Sequence, residues 1–166
     1  MKLPLQFVCI AACLAFPAPA AASTPDLDGL YRQQCSDIMS GAWGAFSDTL
    51  SPDYRGYNIG ADPDTRATEA NSIRDSLAAL QLDACATTVD MREGTGTNAN
   101  AIVHFRVEGV VRKPIGHLQA GDRVVLVFHS ADTWKGTDGV WLQVSADTLG
   151  FAFSVNGKTV RQTGLI

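Results

Sequence analysis

The chain has 166 residues, 46% hydrophobic and 18% charged, with 13 Lys and Arg against 17 Asp and Glu. That length supports one core and is short for two comfortable domains. A net charge of −4 with no run of Lys or Arg repels phosphate backbones and anionic lipid at long range, which argues against nucleic acid and charged membrane surfaces as partners.

Residues 1–22 read as a secretory signal: Lys2 opens it, Leu3 to Phe16 is apolar apart from Gln6, and Ala18-Pro19-Ala20-Ala21-Ala22 supplies small residues for cleavage. Pro4, Pro17 and Pro19 interrupt a stretch that would need roughly 20 apolar residues to span a bilayer, so no membrane span is expected. A competing reading is a lipoprotein, because Ile10-Ala11-Ala12-Cys13 resembles the box before a lipidated cysteine, although only a dozen residues precede Cys13. Either way the protein is expected to be exported, periplasmic or secreted, and residues 23–166 form a single domain. Loss of Lys2 leaves 12 Lys and Arg against 17 acids, a charge near −5.

Of four cysteines, Cys9 and Cys13 leave with the signal if it is cleaved after Ala22 or Ala20. Cys35 and Cys85 remain, and in an oxidising compartment they are expected to pair, closing a loop worth roughly 4 kcal/mol in the chain-entropy model. The alternative is two buried free thiols, since neither lies in a CxxC spacing.

Leu27, Leu30, Tyr31, Cys35, Ile38 and Met39 fall three and four apart, predicting a helix from Thr24 to Ser40 that Thr24 can cap and that Asp26 and Asp28 favour by the dipole. Gly41 breaks it. Ala42, Trp43, Phe46 and Leu50 continue a second helical face until Ser51-Pro52. Tyr54 to Ile59 reads as a short strand before Gly60, Asp62 and Pro63, and Asp64 or Thr65 then caps a third helix carrying Ala70, Ile73, Leu77 and Leu80. From Ala84 the period becomes extended. Cys85 to Met91, Ala101 to Val111, Arg123 to Ser130 with a possible run to Trp134, Val140 to Ala146 and Phe151 to Val155 are β-prone and separated by Gly-rich turns. This spacing predicts antiparallel neighbours and an α+β domain with the N-terminal helices packed in a curved sheet.

The order of elements resembles the nuclear transport factor two-like superfamily, whose members include ketosteroid isomerases, polyketide cyclases of the SnoaL type and scytalone dehydratase. Three local patterns carry the likeness: Ser40-Gly41-Ala42-Trp43 with Thr49 to Tyr54, the turn Gly60 to Arg66, and Ala131-Asp132-Thr133-Trp134 with Gly139 to Val144. The resemblance implies a strongly curved cone, a cystatin-like roll, with a pocket between helices and sheet. It implies no reaction, because that fold serves enzymes, adaptors and plain dimer modules alike. The isomerases' proton-abstracting Asp would align with Asn58 or a neighbour, and an amide cannot act as a base.

Asp132 is the leading chemical candidate, a carboxylate on an apolar strand row with Leu126, Phe128, Ser130 and Trp134. Its structural alternative is a strand-end residue holding a turn. His129 alternates with Val125 and Val127 and is the second candidate for proton transfer; a hydrogen-bonded core histidine is the alternative. The two fall on opposite faces of a regular strand. His104, His117 and His129 are spaced too widely and singly to spell a metal site, and no cofactor motif, nucleophile elbow or HExxH is present. Gly94 to Asn98 has the glycines of a phosphate loop but lies between strands with no helix after it, so it reads as a hairpin. Tyr31, Trp43, Tyr57, Phe128 and Trp141 are candidate pocket linings for a small apolar molecule, or simply core. Apolar residues on both sides of Val124 to Phe128 predict a homodimer through the outer sheet face.

Overall fold

The computed structural model describes residues 25–164; the expected signal and Cys13 lie outside the described residues. Helix α1 spans Leu27–Ser40, with the Asp26 carboxylate accepting from the Gly29 N–H at its start. Its end is Gly41 at φ +70°, where the backbone N–H reaches back to Asp37 and Ile38. A short helix α2, Trp43–Asp48, leads into strand β1, Leu50–Tyr57, and the two-residue β2, Asp64–Thr65. Thr65 then caps helix α3, Arg66–Leu77, in a reciprocal box with Thr68.

The remaining chain is sheet: β3 Leu80–Thr95, β4 Asn98–Val111, β5 Arg123–Thr137, β6 Val140–Val155 and β7 Lys158–Gly164. The order is β2-β1-β6-β5-β4-β3, with β7 also on β6. Every ladder is antiparallel except β1 on β6, which is parallel. That pair corrects the all-antiparallel expectation, and its physical reason is the long crossover: α3 and four strands separate the partners, enough chain to return in the same direction.

Sequence reading splits β6 at Thr148-Leu149-Gly150, yet the strand runs through. His129 pairs Gly150 and Ser130 pairs Thr148, so Leu149 is an extra residue that bends the strand without ending it. The Asn156-Gly157 turn, with both residues at positive φ, folds β7 back on β6.

Cys35 of α1 is bonded to Cys85 of β3 across a Cα separation of 5.4 Å, which fastens the long helix to the sheet. The core has two parts. Ile38, Phe46, Leu50, Tyr54, Ala70, Leu77 and Val107 pack beneath α2 and α3, while Leu27, Tyr31, Ala99, Ala101, Val103 and Trp134 pack under α1. Among the described residues no helix is long and apolar enough to cross a membrane.

Candidate functional site

Between α3, β1 and the concave face of the sheet lies a cavity of about 530 Å³, a size ordinary for small-molecule sites. Strand periodicity builds its wall. Phe105 and Val107 of β4, and Leu126, Phe128, Ser130 and Asp132 of β5, alternate inward. Helix α3 contributes Ile73 and Leu77 from the opposite side. At the rim the loop after β4 brings Ile115 and Leu118 together through two backbone hydrogen bonds of 3.1 and 3.0 Å, leaving Ile115 half exposed.

Against this apolar lining, Asp132 is only 2% exposed. Its Oδ2 accepts from the Tyr31 hydroxyl at 2.8 Å, and that hydroxyl accepts from Trp134 Nε1 at 3.0 Å. The ring of Tyr31 stands edge-on to those of Trp134 and Phe105, with centroids 5.4 and 5.5 Å away, so the chain of bonds is held by packing. The other oxygen, Oδ1, is buried and makes no hydrogen bond of good geometry among the described residues. Burial pushes the Asp132 carboxyl up to about 7, against the opposing pull of the Tyr31 and Ser130 hydroxyls.

A second carboxyl shares the space. Glu69, in the first turn of α3, lines the cavity, and burial, with the charges of Asp64 and Asp132, pushes it up to about 7 as well. Beside it is Tyr54, whose phenol burial and the charge of Glu69 hold above its ordinary range, so it stays a proton donor. Gly56 makes this pairing possible: a Cβ there would stand 2.6 Å from Glu69 Oε2 and 3.0 Å from the Tyr54 hydroxyl. Around the two carboxyls, the phenol and the Ser130 hydroxyl the lining also includes the amides Gln34, Asn58 and Gln143 and the hydroxyl of Thr148; no Lys, Arg or His is among the lining residues.

No protein-family model matches the chain, and no curated protein matches it in sequence. Solved structures match it in shape. A conserved protein from Planctomyces limnophilus superposes with a TM-score of 0.62 at 10% identity, over 73% of this chain and 90% of that one. A nuclear transport factor two-like protein from Cytophaga hutchinsonii gives 0.56 at 13% identity, over 75% and 98%. A candidate scytalone dehydratase from Novosphingobium aromaticivorans gives 0.59 at 10%, over 84% and 85%. The chain has the nuclear transport factor two-like fold. At such identities the likeness speaks for the fold alone.

Within that cone the residues singled out from sequence separate into three places. Asp132 and Phe128 line the cavity. Tyr31 does not reach it, being fully buried in the core under α1, yet it holds Asp132 from behind. Trp43 packs against the core beneath α2, and Trp141 packs against the cluster under α1, where its ring lies over Gly136. Tyr57 is 47% exposed, because Tyr54 and Gly56 take the inward row of β1. His129 lies on the convex face, across the sheet from Phe128 and Ser130, and so is not a cavity group.

Glu69 and Tyr54 escaped sequence reading. An acid in the first turn of a helix is the expected partner of the helix dipole, which gives Glu69 an ordinary explanation. A usable signal was its position four residues before Ile73, on the stripe that faces the sheet.

Proposed function

We propose that the cavity binds a small, mainly apolar molecule carrying one polar group, and that Asp132, flanked by Glu69 and Tyr54, receives that group. The observation that carries this reading is Asp132 Oδ1, a buried oxygen without a good hydrogen bond at the polar end of a mainly apolar cavity. Such an atom is costly unless something pairs with it, and a ligand hydroxyl or carbonyl would do so. Protonated, the carboxyl donates to a carbonyl; ionised, it accepts from a hydroxyl.

A second reading, acid or base catalysis on a polyketide-like or steroid-like substrate, is favoured by one further observation. Asp132 and Glu69 are both held near 7, where a carboxyl can give and take a proton at neutral pH. The charge of an ionised Asp132 helps to hold Glu69 protonated, so one member can keep its proton while the other is ionised. Residues 23–166 would act as one exported domain, a reading with which the Cys35–Cys85 bond is compatible.

Calorimetric titration with a panel of flat apolar compounds, each with and without a hydroxyl or carbonyl, tests the proposal. Binding is expected for the polar members only, and should weaken by about tenfold or more in Asp132→Asn, the loss of one buried hydrogen bond to a charged group. Leu126→Trp, which fills the cavity, should abolish it. Retention of all binding in both variants would place the ligand elsewhere.

A further inference from the structure

The convex face of the sheet carries a second cluster, separated from the cavity by the sheet itself. His104 of β4 and His129 of β5 stand directly opposite in register, their rings parallel within 6° and 4.1 Å apart. Residues opposed in an antiparallel pair share a face, so strand pairing alone brings together two histidines that are far apart in sequence. Asp90 of β3 completes the group, with Oδ2 2.8 Å from His104 Nε2. Thr88 is the residue paired with His104, and the register shifts between Val89 and Met91. Asp90 is therefore the extra residue of a bulge, unpaired in the ladder and turned toward His104. On the other side His129 faces Gly150, which has no side chain to crowd it.

We propose that Asp90, His104 and His129 form a binding site for a divalent transition-metal ion, with Zn²⁺ the best fitted. Each offers one donor atom, and the three donors lie within 4.8 Å of one another. Around a tetrahedral Zn²⁺ at 2.0–2.1 Å the donors stand roughly 3.3 Å apart, so rotation of partly exposed side chains closes the site without moving a strand. Two imidazoles and one carboxylate suit Zn²⁺, Cu²⁺ or Ni²⁺ and disfavour Ca²⁺ and Mg²⁺, which take all-oxygen sites. The nearest cation on β4, Arg106, is paired with Glu108 at 2.9 Å and is drawn away from the cluster. Three protein ligands leave a fourth position for a water or another ligand.

Titration of the tag-free full chain with Zn²⁺, followed by calorimetry, tests this site. The expected result is one ion per chain, with affinity reduced at least about tenfold by His104→Ala or by His129→Ala, as for loss of a ligand or its closest support. His117→Ala, in the exposed loop after β4, should leave binding unchanged. Nitrogen-correlated NMR of the imidazoles supplies a readout that needs no variant: Zn²⁺ should shift His104 and His129 and leave His117 in place. Absence of Zn²⁺ binding, equal binding by the double variant His104→Ala/His129→Ala, one ion per two chains, or unshifted His104 and His129 resonances would each overturn the proposal.

Discussion

Asp132→Asn should gain stability relative to the unsubstituted protein as the pH rises from weak acid to weak alkali. The carboxyl is pushed from 3.8 to about 7 by burial. Folded protein thus holds a proton that the unfolded chain has already released, so this group's contribution to stability is full below about pH 4, is lost as pH rises toward 7, and is flat beyond. A shift of about three units corresponds to roughly 4 kcal/mol, or about 10 °C in melting temperature for a domain of this size. The amide keeps an oxygen to accept the 2.8 Å bond from Tyr31 and never ionises. Any constant cost of its NH2 group appears at both pH values and cancels. Calorimetric melts of the two proteins at about pH 5 and pH 8, at matched ionic strength, give the double difference; because the unfolded chain is already ionised at pH 5, roughly 2.5 kcal/mol of the whole, or about 6 °C, is expected between the two. Removing the charge also relieves Glu69, whose carboxyl is held up partly by Asp132, which strengthens the effect at high pH. Two melting curves that stay parallel across this range would mean the carboxyl is hydrated in solution, and the argument for an anchoring group in a dry cavity would fail.

Trp141→Ala should lower stability by about 3 kcal/mol through lost packing on Gly136 and the cluster under α1, with ligand binding unchanged; chemical denaturation measures it. Non-reducing peptide mapping should find Cys35 joined to Cys85, and replacing both by Ser should cost up to about 4 kcal/mol in the same denaturation assay. Intact mass of protein recovered outside the cytoplasm should correspond to cleavage after Ala22 or Ala20; a lipid adduct on Cys13 would establish the lipoprotein instead. Light scattering at micromolar concentration should give the mass of a homodimer formed through the convex face, where Val125 and Val127 are only partly buried; a monomer mass refutes that interface.

The fold was legible because each element carries its own period. Leu27, Tyr31, Ile38 and the buried positions of α3 repeat at helical spacing, and the row from Leu126 to Trp134 repeats at two. What escaped was set between elements. The parallel pairing of β1 with β6 depends on how a crossover closes, and the continuity of β6 through Leu149 depends on a bulge that looks locally like a turn. Site residues divided the same way. Asp132 could be found because a carboxylate breaks an apolar row within one strand, whereas Glu69 breaks no pattern in its own helix and becomes unusual only when α3 is laid over the sheet. Tyr57 and Tyr54 are alike in type, and their odd spacing along β1 puts Tyr54 on the inward row and Tyr57 on the outward one.

The curvature of the sheet explains why the two proposed sites do not touch. Three helices cannot fill the concave side of a seven-stranded sheet, so the core divides in two and leaves the cavity beside the part packed under α2 and α3. Asp132 stands at the junction, facing the cavity while its Oδ2 is fixed by Tyr31 from the other part. The ligand proposed for Asp132 would therefore sit one hydrogen bond from Tyr31 and two from Trp134. On the convex side the same strands present the alternate residues, His104 and His129, and a bulge that bends β3 supplies Asp90. One backbone thus sorts carboxyls with phenols on its concave face and imidazoles with a carboxylate on its convex face, because successive residues of a regular strand point to opposite sides.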